Sequence, residues 1–321
     1  MALVPQIVTE KRPRLTNPGP CRCSLSTCGN GEVRAPIDEE RAGRPIARAP
    51  NRRPSKQGSP RFFDRRISLF PSARGAGSYT CHMSVSLASS AQRLHRKTSR
   101  LAFAAPVAFV YAPLGYAWPI AEAYLEKYGR GRKEVVFVGM NPGPFGMAQT
   151  GVPFGEVSMV RDWMGLSGQI ARPEVEHPKR PVLGFDCPRS EVSGARLWGA
   201  FARRFPDASQ FFRRAFVLNY CPLLFLAESG ANLTPDKLKA VEREPLEAAC
   251  DEHLRDALAV LRPKTAIGVG AYATKKLESL GISGLTVANI PHPSPASPAA
   301  NRGWDELAAR ALRSAGVEGL L

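Results

Sequence analysis

Five short runs place a chemically capable group among prolines and glycines. In Pro291-His292-Pro293-Ser294-Pro295-Ala296-Ser297-Pro298, alternating prolines stiffen a loop around one imidazole. A lone histidine is usually structural, but one locked between prolines is equally suited to work as a preorganised donor or acceptor. In Gly139-Met140-Asn141-Pro142-Gly143-Pro144-Phe145-Gly146-Met147, Asn-Pro-Gly is turn chemistry and the glycines let backbone approach a ligand. An ordinary strand-to-helix turn would read the same way. Asn219 ends an apolar run before Tyr220-Cys221-Pro222. A buried amide must have its donors and acceptors paired, so it either braces a loop or reads a ligand. Phe154, in Gly151-Val152-Pro153-Phe154-Gly155, could stack on a planar base or pack in the core. Gly268-Val269-Gly270-Ala271 precedes a helical pattern whose first N–H groups could meet a phosphate, a weak glycine signal by itself.

The elements that must hold these groups are short, uncharged and rich in Val, Ile and Phe. Strands are expected at Val135–Gly139, Ala215–Tyr220, Thr265–Val269 and Leu285–Ile290. Helical patterns fall at 117–129, 156–165, 194–205, 235–261, 271–280 and 303–315. Alternation of this kind predicts an α/β fold with three α/β/α layers and a four-stranded, mostly parallel sheet. Sites in such sheets form in the loops leaving the carboxyl ends of the strands, where four of the five runs stand.

Lys and Arg outnumber Asp and Glu 44 to 28 in 321 residues, for a net charge of +16, which favours a polyanionic partner. Residues 1–82 carry fifteen basic and six acidic residues and ten prolines, with little hydrophobic periodicity. They read as a disordered basic leader, with residues 83–321 as the folded catalytic domain. A translation start at Met83 would account for the same texture. Cys21, Cys23 and Cys28 lack a fourth ligand for zinc, and Cys187, Cys221 and Cys250 are widely spaced, so no metal site is expected. The uncharged stretch 101–121 is long enough for a membrane span, but Pro106, Pro113 and Pro119 would break its helix. A buried extended segment is expected there instead.

Taken together, the runs Gly139–Val160, Glu176–Phe201, Asn219–Leu238 and His292–Trp304 resemble the uracil-DNA glycosylase superfamily, and its single-strand-selective monofunctional branch in particular. The similarity covers roughly residues 100–316, as judged from the order of motifs.

The resemblance implies that Asn141 holds the attacking water and His292 stabilises negative charge on uracil O2. It implies that Asn219 pairs with the O4/N3 edge and Phe154 stacks on the base, while Met140, Gly143, Phe145 and Met147 help form the pocket. Gly143 would leave a gap at base C5 where strict uracil enzymes carry tyrosine. Gly270 and Ala271 would contact DNA, and Pro293, Ser294, Pro295 and Ala296 would enter the duplex, with Ala296 standing where the family pattern has arginine. The implied substrates are uracil and 5-hydroxymethyluracil in single- and double-stranded DNA. The implied enzyme is a monomer without cofactor, metal or lyase activity, located inside the cell: in the nucleus of a eukaryote or at a bacterial nucleoid. Four spaced cysteines for an iron–sulfur branch are lacking in the folded region. The alternative is a non-catalytic DNA-binding protein on the same fold.

Overall fold

Runs such as Val135-Val136-Phe137-Val138 form the central sheet because strands covered on both faces gain apolar contact on each side. The computed structural model describes residues 85–298 and 300–321. The expectations for residues 1–82 and for a start at Met83 lie outside the described residues. The strands are β1 (Phe109–Tyr111), β2 (Val135–Gly139), β3 (Ala215–Asn219), β4 (Leu224–Leu226), β5 (Asn232–Leu233), β6 (Thr265–Val269) and β7 (Thr286–Ile290). The helices are α1 (Leu87–Thr98), α2 (Pro113–Tyr116), α3 (Trp118–Tyr128), α4 (Met147–Thr150), α5 (Val192–Arg204), α6 (Ala208–Arg214), α7 (Ala240–Leu261), α8 (Ala271–Ser279) and α9 (Trp304–Ser314).

Strands β3-β2-β6-β7 form one sheet in that order, with every pairing parallel. Val136 lies opposite Phe216 and Phe137 opposite Val217, so Phe216 and Phe137 point to opposite faces. Phe216 stacks on Tyr124 of α3 at 4.9 Å and Phe137 meets Phe201 of α5 at 5.3 Å. Helices therefore cover both faces, and the layers are α/β/α. The chain leaves β2 for β3 on one side and later returns to β6 on the other. That reversal opens a crevice at the carboxyl end of β2.

A second sheet, β1-β4-β5, is antiparallel and pairs Phe109 with Leu226 and Phe225 with Leu233. Its strands are too short to show alternation in the sequence. The helix expected at 156–165 is instead one π-helical turn, Met159–Trp163. The Glu156 carboxylate accepts from the Met159 amide and the Ser158 hydroxyl and caps this turn. The pattern 235–261 divides into a 3-10 turn, Pro235–Lys237, and α7. Residues 101–121 become loop, β1, α2 and the start of α3. No helix among the described residues is long and apolar enough to cross a membrane.

Helix α1 begins at a reciprocal Ser86/Ser89 capping box and packs on α7 through a polar brace. His253 Nδ1 lies 2.8 Å from Ser90 Oγ, and the Ser90 hydroxyl donates to Asp256 at 2.9 Å. Arg93 holds the same carboxylate at 2.7 Å. Burial lowers the His253 pKa to about 4.

Candidate active site

The loops after β2, β3 and β7 converge with Phe154 and the start of α5 around a cavity of about 360 Å³. That is within the range of small-molecule sites, roughly 300–1,000 Å³. Met140, Asn141, Gly143, Met147, Phe154, Asn219, His292 and Ser294, all expected from the sequence, line it. The first two loops are stapled together: the Tyr220 amide donates to Gly139 O at 2.9 Å and the Cys221 amide to Met140 O at 2.8 Å.

Asn219 is 9% exposed, yet its Oδ1 is a buried side-chain acceptor without a hydrogen-bond partner. Its amide nitrogen has only the Met147 thioether, at 3.3 Å. An amide that merely braced a loop would be paired with backbone. One with an open acceptor and a weakly held donor, side by side, is arranged to meet a ligand edge offering the reverse pattern. Gly139 makes this possible, since a Cβ there would lie 2.6 Å from the Phe154 ring and also strike Asn219 Oδ1.

Phe154 adopts φ +53°, a left-handed conformation that costs an ordinary residue roughly 1–2 kcal/mol. The turn is held by the Gly155 amide on Val152 O at 2.9 Å and the Glu156 amide on Phe154 O at 2.7 Å. The strain presents the ring to the cavity, with its centroid 5.9 Å from that of His292.

His292 accepts the Ser294 amide at Nδ1, 3.1 Å away. Burial lowers its pKa, favouring the neutral ring. A neutral imidazole that accepts at Nδ1 carries its hydrogen on Nε2, so the group offered to the cavity is a neutral donor. The loop around it is braced along its length. Arg196 of α5 donates to Pro293 O at 3.0 Å and to Asn301 Oδ1 at 2.8 Å. Asn301 donates to Pro295 O at 2.8 Å, and Trp304 Nε1 to Pro291 O at 2.7 Å. Pro295 and Ala296 are exposed at the tip. Gly270, at φ +93°, donates to Ile290 O at 2.8 Å and so ties the β6 loop to the start of this one, leaving Ala271 exposed as the first residue of α8.

Asn141 turns its amide nitrogen toward Leu223 O at 3.4 Å and Pro142 O at 3.5 Å, leaving its Oδ1 as the acceptor available for water. Across the cavity stands Glu191, which precedes α5. Burial raises its pKa, and the Ser193 and Phe145 amides and the Ser193 hydroxyl counter that rise in part.

The description "Uracil DNA glycosylase superfamily" matches residues 126–312. The rat single-strand selective monofunctional uracil-DNA glycosylase is 50% identical over 71% of this chain and 84% of its own length. The chain belongs to the uracil-DNA glycosylase superfamily. Within it, the single-strand-selective monofunctional branch is the one it matches: the bovine relative of that description is 49% identical over 71% of this chain and 85% of its own. By class the family member described here is an enzyme, a hydrolase of N-glycosyl bonds. The crystal structure of Pedobacter heparinus SMUG2 superposes with a TM-score of 0.51 at 16% identity, covering 70% of this chain and 96% of that one, a likeness of fold.

Two residues expected in this glycosylase site have surroundings that the sequence does not show. Phe145 is not among the residues lining the cavity; its ring lies 4.1 Å from the Arg189 guanidinium carbon and 5.4 Å from that of Arg180. Two cations draw the ring face outward. The space beside Gly143, which lines the cavity, is bordered by Glu191: a Cβ on Gly143 would lie 2.6 Å from its Oε2. Glu191, Ser193, Asn232 and Thr234 also line the cavity without having been anticipated. A glutamate before a helix reads as a cap, and Asn232 and Thr234 arrive through the small antiparallel sheet. The one signal for Glu191 was its place in Glu176–Phe201, a run that carries the family likeness.

Proposed function

We propose that the protein flips uracil and 5-hydroxymethyluracil out of single- and double-stranded DNA and hydrolyses the N-glycosidic bond, leaving an abasic site. The observation that carries this is the open acceptor of Asn219 in one cavity with the neutral imidazole of His292. Asn219 Oδ1 would accept from N3–H and its amide nitrogen would donate to O4. Cytosine, with a bare N3 and an amino group at C4, would leave both groups unpaired at about 1–3 kcal/mol each.

As the C1′–N1 bond breaks, its electron pair leaves with the base and charge gathers on O2, where the Nε2–H of His292 meets it. Phe154 stacks on the ring. Water held by Asn141 adds to C1′ and its surplus proton passes to solvent. An amide does not titrate, so Asn141 orients this water without activating it. Pro293, Ser294, Pro295 and Ala296 would fill the space that the base vacates. Gly270 and Ala271, at the positive end of α8, would face a phosphate. Residues 83–321 would act as a monomer, wherever DNA is kept. The leader 1–82 would add salt-sensitive, non-specific DNA affinity.

Incubation with oligonucleotides carrying uracil, 5-hydroxymethyluracil or thymine, followed by alkaline cleavage, tests the reading. Scission at the first two bases and little at thymine is expected. Binding without scission at any of them favours a non-catalytic DNA-binding protein instead.

A further inference from the structure

We propose that Glu191 reads the substituent at base C5, accepting a hydrogen bond from a hydroxymethyl group and refusing a methyl group; the inference rests on the uracil-type reading above. The cavity itself orients the base. With O2 at His292 and the N3/O4 edge at Asn219, the one edge left is C5/C6. The amide nitrogen of Asn219, which would meet O4, is the end that touches Met147. Met147 opens α4, whose next residue, Ala148, donates to Gly143 O at 3.2 Å. C5 adjoins O4, so it faces the turn 143–147, and Glu191 is a polar side chain that both packs on that turn and lines the cavity. Its Oε2 lies 2.6 Å from where a Gly143 Cβ would be, and its Cγ lies 2.9 Å from where one on Gly146 would be.

Both glycines therefore make room for a carboxylate, which places an acceptor where a bare glycine surface would offer none. A hydroxymethyl O–H can donate to it. A methyl group would displace the water on the acceptor site that the Ser193 and Phe145 groups leave open, and would put no donor in its place, which is costly in a half-buried site. Above uracil, whose C5 carries only hydrogen, a water can stay on the carboxylate.

Single-turnover base release is measured for wild type, Glu191→Gln and Glu191→Leu on single-stranded oligonucleotides that differ only in uracil, 5-hydroxymethyluracil or thymine. Leucine fills similar volume without an acceptor, so its 5-hydroxymethyluracil-to-uracil rate ratio should fall about tenfold or more, and its thymine-to-uracil ratio should rise. Glutamine keeps a neutral acceptor, so its ratio should fall less, about threefold. The glutamine variant decides the matter if the leucine variant does not fold. Ratios equal to wild type, with wild type cutting both bases, overturn the role of Glu191 and leave the proposed reaction standing. Wild type that cuts uracil but ignores 5-hydroxymethyluracil overturns the role and the proposed breadth together. Wild type that releases neither base overturns the glycosidic reading as well.

Discussion

His253 is buried and His292 partly so, and burial lowers the pKa of each. What separates them is the company around each ring. His253 stands in the α1–α7 interface, where Ser90, Asp256 and Arg93 complete a closed chain of hydrogen bonds. Ser90 is 1% exposed, and through it this serine, histidine and aspartate brace two helices. His292 has one nitrogen fixed by the Ser294 amide and stands beside a cavity that also holds a buried acceptor without a partner. Residue types alone would rank the first cluster as the more catalytic. Open hydrogen-bonding capacity ranks them the other way.

The comparison breaks most visibly in rate. His292→Ala and Asn141→Ala should each slow single-turnover release of uracil by about 10²–10⁴-fold, with DNA binding retained in a mobility-shift assay. His253→Gln should stay close to wild type in the same assay. A large loss in His253→Gln, in a folded preparation, would mean that the α1 brace belongs to the site.

Stability should separate the pair in the opposite sense. The unfolded chain protonates His253 as pH falls through 6.5, whereas the native protein resists until about 4. Its contribution is thus complete above pH 6.5 and lost on acidification toward 4, by up to about 3 kcal/mol. Chemical denaturation between pH 7 and 4.5 should show a steep decline in wild type and a flatter one in His253→Gln. Equal slopes would contradict the assignment. His292, also lowered, adds in the same direction, and its protonation should reduce cleavage on the acid side of 6.5.

The smallest effect concerns the loop that carries His292. Arg196→Ala removes two bonds to that loop, on Pro293 O and Asn301 Oδ1. Uracil release from duplex should fall more than from single strands, by a few-fold, because a wedge must be stiff only when it displaces a paired base. Equal losses on both substrates would show that Arg196 positions the imidazole rather than the tip.

Much of this arrangement was legible in the sequence where burial is complete on both faces. Strands β2, β3 and β6 are fully buried, and their uncharged runs give their bounds to within a residue. The loops after β2, β3 and β7 announced themselves by proline and glycine at fixed places. What escaped was held by contacts between distant segments. Strands β1, β4 and β5 have three, three and two residues, too few for any period to show. Glu191 reaches the cavity because Gly143 and Gly146 admit it, a fact about approach rather than composition. The outward turn of Phe145 depends on Arg180 and Arg189, about forty residues along the chain.

The contrast between the two imidazoles rests on His292 working as a neutral donor through Nε2 while His253 braces two helices. Nitrogen-15 NMR of the imidazoles in the folded protein at pH 7 tests it directly. The account predicts an uncharged His292 with hydrogen on Nε2 and a bare Nδ1 bonded to the Ser294 amide. An imidazolium at pH 7, or the neutral ring with hydrogen on Nδ1, would contradict it.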